Sequence, residues 1–450
     1  MLPSFFIERF KSNKEKTAII WRDQEYTYNW LLNSFEKAKT FLIENKINTS
    51  DIVALHADFT PSAIAFFLAL IDNGNIIVPV SFSVKDPEDY YSIAEVGSII
   101  EIRDDKQILK KLPQDVSHKI LIELKQRKHP GLILFSSGTT GESKASVNDF
   151  RSLLNKYKIK HKPLVTISFL LFDHIGGINT LFYILSNAGT LIALEDRSPE
   201  NVCKLIEKYN VELLPTSPTF INLILMSRSC EKHDISCLKL VTYGTEMMSE
   251  TTLKLFAKFF PKIEMKQTYG LSELGILRSK SKSSDSLWLK IGGEDYNTKI
   301  VDNILFIKSK TAMLGYLNAP SPYDKEGWFN TQDRVEVNGK SFRFLGRDSD
   351  IINVGGEKVY PAEVENIIQE VENVAEVSVF GEKNIIIGEI VCAKVRLIDN
   401  EESKVFKKRL KKYCNKRLER YKVPVKIEIT DKKLYSIRFK KTRWNLKVFI

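Results

Sequence analysis

Cysteine is scarce in this sequence. The five present (Cys203, Cys230, Cys237, Cys392 and Cys414) are scattered, odd in number and without CxxC spacing, which argues against a disulfide framework and a zinc site alike. Long apolar runs are missing too. Ser62 to Ile71 is too short to cross a bilayer, and the stretch from Pro163 to Leu185 is broken by Asp173, His174 and two glycines, so no membrane span is expected. The first residues, Met1 to Thr17, place lysines after a brief apolar patch, the reverse of a secretory signal, which points to the cytoplasm. Internal repeats and low-complexity linkers are absent. The basic stretches carry no aromatic interleaving and no reader motif, so nucleic acid is not an expected partner.

What is there reads as an ordinary globular chain. Its 450 residues are 43% hydrophobic and 27% charged, enough for two to three domains with buried cores and unlike a disordered or fibrous protein. The formal net charge is +11, and ten lysines and arginines lie between Lys404 and Lys422. Such a run is most simply the solvated face of a helix; the alternative is a surface for an anionic partner, such as a phosphorylated cofactor or an acidic carrier protein.

Short β-rich runs alternate with helical patterns over the first three-quarters of the chain. Strands are predicted at Ile52–His56, Leu132–Phe135, Leu164–Phe169, Thr190–Leu194, Val211–Leu214, Leu238–Thr242 and Ile263–Gln267, with helices at Glu200–Lys208 and Glu250–Phe259. Near Val301 the texture turns to hairpins. In the clearest, Asn338–Gly339 is the expected turn between Val335–Val337 and Ser341–Leu345. After Gly346, Pro361 suits the first position of a helix running through Val371. Strands at Glu376–Phe380 and Glu389–Arg396 follow, then a helix with Phe406, Leu410, Tyr413/Cys414 and Leu418 on one face. The last hundred residues thus predict a small α+β domain, beginning near Arg347–Asp348.

Chemistry concentrates first in Leu132-Ile-Leu-Phe-Ser-Ser-Gly-Thr-Thr-Gly-Glu-Ser-Lys144, a strand running into hydroxyls and glycines closed by a lysine. Small residues let backbone N–H groups converge on phosphate oxygens, hydroxyls add donors, and Lys144 adds charge. A Walker A loop needs glycine before its lysine and Ser or Thr after it. Ser143 and Ala145 stand there instead.

This segment resembles the phosphate-binding signature of the ANL superfamily of adenylate-forming enzymes, and further matches follow in that family's order. They are Tyr243-Gly-Thr-Glu246, Gln267-Thr-Tyr-Gly-Leu-Ser-Glu273, Gly327-Trp-Phe-Asn-Thr-Gln-Asp333, Phe344-Leu-Gly-Arg-Asp-Ser-Asp350, Gly355-Gly-Glu-Lys-Val-Tyr-Pro-Ala-Glu-Val-Glu365 and Tyr421-Lys-Val-Pro424. The resemblance spans nearly the whole chain. It implies an α/β fold: a large multi-layer body with a β-hairpin subdomain (residues 1–347) and a small mobile α+β lid (residues 348–450).

Carried onto these positions, the resemblance implies ATP contacts from Ser136, Ser137, Gly138, Thr139, Thr140, Gly141 and Lys144, and from Gly244, Thr245, Glu246, Tyr269, Gly270 and Ser272. Tyr269 would stack near adenine, Asp333 would accept from the ribose hydroxyls, and Arg347 would bind ribose or phosphate. Glu273, with Thr140, would hold Mg²⁺, a hard ion suited to oxygen ligands. Asp348 would be the pivot of the lid. The family's C-terminal catalytic lysine aligns with Lys440 in Ser436-Ile-Arg-Phe-Lys-Lys-Thr-Arg443, with Arg443 its companion and Lys441 a one-residue alternative. Catalysis would then rest on Lys440, Lys144, Thr140 and Glu273.

Three departures stand out. Phe439 and Gln332 occupy positions where the family has glycine, and Asn353 stands where many relatives carry a lysine used in thioester formation. Phe172-Asp-His-Ile-Gly-Gly-Ile178 should border the acyl pocket, with Gly176 and Gly177 leaving room for an extended chain and Pro215–Thr219 opposite. His174 fits the pattern of coenzyme A ligases; Asp173 fits the ammonium-binding aspartate of amino-acid-activating relatives. The implied activity is ATP-dependent conversion of a carboxylic acid, fatty or aryl, to acyl-AMP with loss of pyrophosphate, then transfer to coenzyme A, with Gly355–Gly356 facing the pantetheine. Loading of a carrier protein's phosphopantetheine, and a degenerate nucleotide-binding regulatory protein, are the alternatives.

Overall fold

A computed structural model describes residues 1–113, 115–137, 143–293 and 295–442. Two seven-stranded sheets form the body. One runs, in spatial order, through Gly315–Tyr316, Ser143–Asp149, Gly131–Ser137, Ile76–Val80, Ile52–His56, Ser98–Arg103 and Lys106–Lys111; the other through Glu264–Gln267, Leu240–Tyr243, Leu213–Thr216, Val165–Ile167, Thr190–Ile192, Thr17–Trp21 and Gln24–Thr27. Apart from Ser143–Asp149, which runs antiparallel to both its neighbours, the inner strands of both are parallel, so they are linked by crossovers and covered on both faces.

The apolar runs that were too short for a bilayer are the helices packed into this core. In Pro61–Asn73, every residue from Ala63 to Ile71 is buried, and Ile175–Ser186 is nearly as deep. A helix apolar on all sides has no face for water, and these two share a single cluster with residues from both sheets. No helix among the described residues is long and apolar enough to cross a membrane.

The predicted strands and helices appear with shifted ends. Val211–Leu214 becomes Leu213–Thr216, and the helix at Glu250–Phe259 is found as predicted. The antiparallel sheet begins earlier than the change of texture near Val301 suggested, at Ser279–Ser281, and carries six strands to Arg347. Its hairpin turn falls one residue later than expected. Asn338 pairs with Ser341, leaving Gly339–Lys340 as the loop, and only Gly339 has positive φ (59°). Asparagine thus extends the strand instead of making the turn.

Residues from Ile352 to Ile427 build a separate apolar cluster beneath a five-stranded sheet. Pro361 opens its helix as expected, but the helix ends at Gln369, two residues short of Val371. The basic run is only partly helical. Ser403–Asn415 buries Phe406, Leu410 and Cys414 and turns Lys404, Lys408, Lys411 and Lys412 to solvent, while Leu418 and Lys422 lie beyond it. All five cysteines are free thiols.

Candidate active site

Three neighbouring parallel strands, Leu213–Thr216, Leu240–Tyr243 and Glu264–Gln267, end side by side. Loops leaving the carboxyl ends of parallel strands make the crevice where such sheets bind ligands. Here the strand end supplies Pro215 and Thr216, and the loops supply Gly244, Thr245, Thr268 and Gly270 to Glu273. These converge with Ser136, His174, Gly176, Arg347 and Lys440 around a cavity of about 290 Å³. An adjoining cavity of about 240 Å³ is lined by Gly244, Thr245, Tyr269, Gly270, Asp333, Phe344 and Arg347.

The second cavity is a mutually bonded set. Tyr269 donates its hydroxyl to Asp333 Oδ2 (2.6 Å) and stacks on Phe344, with ring centroids 4.6 Å apart. Arg347 Nε lies 3.4 Å from Asp333 Oδ1. Burial raises the Asp333 carboxyl above its ordinary range, against the pull of Arg347 and the Tyr269 hydroxyl. One face of Tyr269 is therefore already occupied by Phe344. Gln332, before the aspartate, takes φ 59°, the left-handed conformation a glycine would adopt without strain, so the loop keeps its shape.

In the first cavity Glu273 is nearly buried and accepts a hydrogen bond from the Tyr316 hydroxyl at Oε1 (2.6 Å). The Lys144 ammonium stands 5.6 Å from the centre of the Tyr316 ring. Ser136 pairs with Lys144 across the strands Gly131–Ser137 and Ser143–Asp149. Asn318 braces the same end on either side of Lys144, donating to the Ser143 carbonyl and accepting from the Ala145 N–H. Gly138, Thr139, Thr140, Gly141 and the Ser137 side chain lie outside the described residues, as does Arg443. Ser272 lines the same cavity. No group of three metal-ligating side chains occurs among the described residues.

The C-terminal loop reaches into this crevice from the far side. Phe439, at the family's glycine position, has φ 51° and so retains the glycine conformation; its carbonyl accepts from Ser217 Oγ (2.6 Å). Its ring sits among Phe169, Phe220 and Tyr435. The two candidate lysines then point to different partners. Lys441 pairs with Glu365 (3.1 Å), while the Lys440 side chain borders both cavities and its ammonium has no hydrogen-bond or carboxylate partner among the described residues. Burial pushes the Lys440 pKa down to about 8, helped by Arg438 and Arg347 and opposed by Glu246. Glu246 fixes the loop, accepting the N–H of Thr219 at one oxygen and of Lys441 at the other (both 2.8 Å).

Asp173 does not stand open for a substrate ammonium. It is buried, and its Oδ2 accepts from Arg438 (2.8 Å) and from Ser81 (3.0 Å). His174 caps the helix Ile175–Ser186 by accepting the Gly176 N–H at Nδ1 (3.0 Å). Burial, then Lys440 and Arg438, hold its pKa well below the ordinary range. The neutral ring therefore carries its proton on Nε2. Gly176 borders the cavity, but Gly177 does not leave room for a substrate chain. A Cβ there would lie 2.1 Å from the Leu171 carbonyl, so its bare backbone serves helix packing. Pro215 and Thr216 form the opposite wall, as expected, whereas Pro218 and Thr219 face away from it.

Gly355 and Gly356 make the exposed two-residue turn of a hairpin, both with positive φ (60° and 94°). Asn353 is exposed, and its N–H donates to Glu389. Asp348 is held by Arg334 (2.6 Å). Sequence reasoning missed Tyr316, Asn318 and Arg438, which lie outside the quoted motifs or, for Arg438, inside one without a role. Only the dipeptide Gly315–Tyr316 and its closeness to Asn318 offered a signal.

Known proteins resemble this chain over its length. Residues 6–293 match the model of the AMP-binding enzyme family, and residues 363–443 that of the AMP-binding enzyme C-terminal domain. The indoleacetate–CoA ligase of Aromatoleum aromaticum is 23% identical, with 92% of this chain and 91% of that protein covered. The 2-succinylbenzoate–CoA ligase of Bacillus subtilis is 24% identical over 96% and 94%. Among solved structures, the anthranilate CoA ligase AuaEII in complex with anthranoyl-AMP aligns with a TM-score of 0.82 at 18% identity, covering 97% of this chain and 94% of that one. ATP-bound MatB from Rhodopseudomonas palustris aligns at 0.78 and 19% identity, with 97% of each chain covered.

Proposed function

The chain belongs to the AMP-binding enzyme family, and from that premise we propose how it works as an AMP-forming acid–coenzyme A ligase. A carboxylate oxygen of the acid attacks the α-phosphorus of ATP, forming acyl-AMP and expelling pyrophosphate. Negative charge crowds the phosphorus in that step, and a preorganised cation aimed there lowers the barrier. Lys440 supplies it, bridging carboxylate and α-phosphate, while Lys144 faces the leaving group. The observation that carries this reading is the Lys440 ammonium in the crevice, with no hydrogen-bond or carboxylate partner among the described residues.

Adenine lies along the Tyr269–Gly270 side, with Asp333 and Arg347 on the ribose. Glu273 fits Mg²⁺: one carboxylate oxygen is oriented by Tyr316, and the other, without a hydrogen-bond partner among the described residues, would suit a hard cation. A single protein carboxylate is a usual share for Mg²⁺, which fills its shell with water and phosphate oxygens; when bound, it would neutralise the triphosphate. Residues 348–450 then act as a lid. Rotation at Asp348 breaks its contact with Arg334, withdraws Lys440, and brings Gly355–Gly356 towards the pantetheine thiol, which attacks the acyl carbonyl as AMP leaves. The exposed basic face of Ser403–Asn415 offers charge for the phosphates of coenzyme A.

ATP–pyrophosphate exchange against fatty, aryl and amino acids, followed by thioester formation with coenzyme A and with carrier proteins, tests this. Acid-dependent exchange and a coenzyme A thioester are expected. Transfer to a carrier alone would replace the acceptor, and absence of exchange with every acid would leave a nucleotide-binding protein without ligase activity.

A further inference from the structure

The acyl end of the crevice holds a donor that none of the motifs accounts for. Asn179, on the helix Ile175–Ser186, lines the cavity together with Gly176, Thr180 and Ile276. Its amide is fixed from behind. The Lys156 ammonium donates to Oδ1 at 2.5 Å, and the buried Tyr157 hydroxyl donates to the same oxygen at 3.0 Å. Because both neighbours donate to that oxygen, Nδ2 is left as the free end of the amide, and it has no hydrogen-bond partner among the described residues. Thr180 differs, since its hydroxyl donates to the Gly176 carbonyl and offers the cavity only lone pairs.

No carboxylate pairs with Lys156 among the described residues. Its other hydrogen bond goes to the Ile276 carbonyl (3.3 Å), and the cation Arg278 acts on it electrostatically. Burial, with Arg278 adding to it, pushes its pKa down to about 7. A cation donating to an amide oxygen polarises that amide and strengthens its N–H donors. The wall therefore presents a donor fixed and sharpened from behind, with the Arg278 cation and a Lys156 that is about half protonated at neutral pH behind it, to whatever fills the acyl end.

We propose that Asn179, positioned by Lys156 and Tyr157, determines acid specificity, and that the acid carries a hydrogen-bond acceptor oxygen at the end distal to the activated carboxyl. This rests on the ligase reading above and narrows it. The cavity of about 290 Å³ also contains the reacting centre, so the acid is compact, a short-chain or single-ring acid in place of a long fatty chain. A second carboxylate suits the positive backing better than a neutral hydroxyl or keto oxygen. A pocket built to hydrogen-bond a substrate group discriminates strongly against the analogue lacking it, because its own donor is then left unpaired.

The test is ATP–pyrophosphate exchange with benzoate, cinnamate and hexanoate set against para-hydroxybenzoate, para-carboxycinnamate and hexanedioate. Acceptor-bearing acids should exceed their plain partners in kcat/KM by on the order of 10²-fold, dicarboxylates most. Asn179→Asp is isosteric, can pair with Lys156, and replaces the donor by an acceptor. It should abolish that preference, and Lys156→Met should remove the advantage of carboxylate over hydroxyl. Plain acids used as well as their partners by the wild type overturn the proposal and leave the ligase reading standing. If no acid supports exchange, the ligase reading falls, and calorimetric binding of the same acids in the presence of AMP decides. Tighter binding of acceptor-bearing acids, lost in Asn179→Asp, sustains the proposal; equal binding overturns it.

Discussion

The nucleotide side and the acyl side of the crevice are built differently. On the nucleotide side the functional groups hold one another: Tyr269 to Asp333 to Arg347, and Tyr316 to Glu273. On the acyl side each polar residue answers to a local structural duty as well. His174 caps a helix, Gly177 packs against backbone, and Asp173 clasps Arg438. A network of mutual contacts ties a site to short contiguous motifs, whereas residues with separate scaffold duties leave specificity to neighbours such as Asn179. Lys440 stands at the seam between the two sides.

Removing the seam should have the largest effect. Lys440→Ala should slow acyl-AMP formation by roughly 10²-fold or more, the scale of losing one preorganised donor. With synthetic acyl-AMP supplied, thioester formation should stay near normal. Lys441→Ala, which breaks a pair with Glu365, should affect adenylation far less. Comparable losses in both variants, measured by exchange, would erase the distinction between the lysines.

Next is the clasp. Arg438→Ala leaves the buried Asp173 carboxylate with Ser81 as its one remaining hydrogen-bond donor among the described residues and with the more distant Arg197 cation, and a poorly paired buried charge is costly. The loop carrying Lys440 should then seat poorly, lowering adenylation about tenfold while sparing thioester formation from acyl-AMP. Asp173→Asn, isosteric and uncharged, should do less harm than Arg438→Ala. An equal loss of both half-reactions in Arg438→Ala would show that the clasp supports the fold and not the pose.

A smaller effect is expected from pH. Lys440 acts in its charged form, which is complete well below its pKa of about 8 and lost as pH rises through it. The kcat/KM for adenylation should therefore fall several-fold on the alkaline side, and Lys440→Arg, which keeps its charge, should shift that limb upward. The smallest change is Gln332→Gly on the nucleotide side. It relieves one left-handed side chain, a gain of no more than about 1 kcal/mol before the added freedom of the unfolded glycine offsets part of it. The melting temperature should hardly move, and ATP affinity should not change.

The same contrast governs what the sequence made legible. Apolar runs marked the parallel strands because strands covered on both faces need no alternation. Thin edge strands such as Gln24–Thr27 and Lys106–Lys111 carry little apolar signal and were missed. The nucleotide residues were readable because each motif is contiguous. Arg438 and Asp173 are 265 positions apart, and nothing local in either segment announces the other. The turn at Gly339 was misjudged by one residue because cross-strand pairing, not the preference of Asn338, set the register. Gln332 and Phe439 looked like departures, yet both retain the backbone that glycine would have supplied.

Phe439 also gives the C-terminal loop a thermal character. Its ring lies in a slot formed by Phe169, Phe220 and Tyr435, directly before the lysine that enters the crevice. A loop anchored by glycine could leave by breaking polar contacts alone. This one must also hydrate part of a phenyl ring, since Phe439 is half-buried and full burial of such a side chain is worth roughly 1.5–3 kcal/mol. Hydrating apolar surface raises heat capacity, so the balance between seated and withdrawn loop changes curvature with temperature and weakens on cooling. Eyring plots of the adenylation and thioester steps should accordingly bend apart, and Phe439→Gly should straighten the difference.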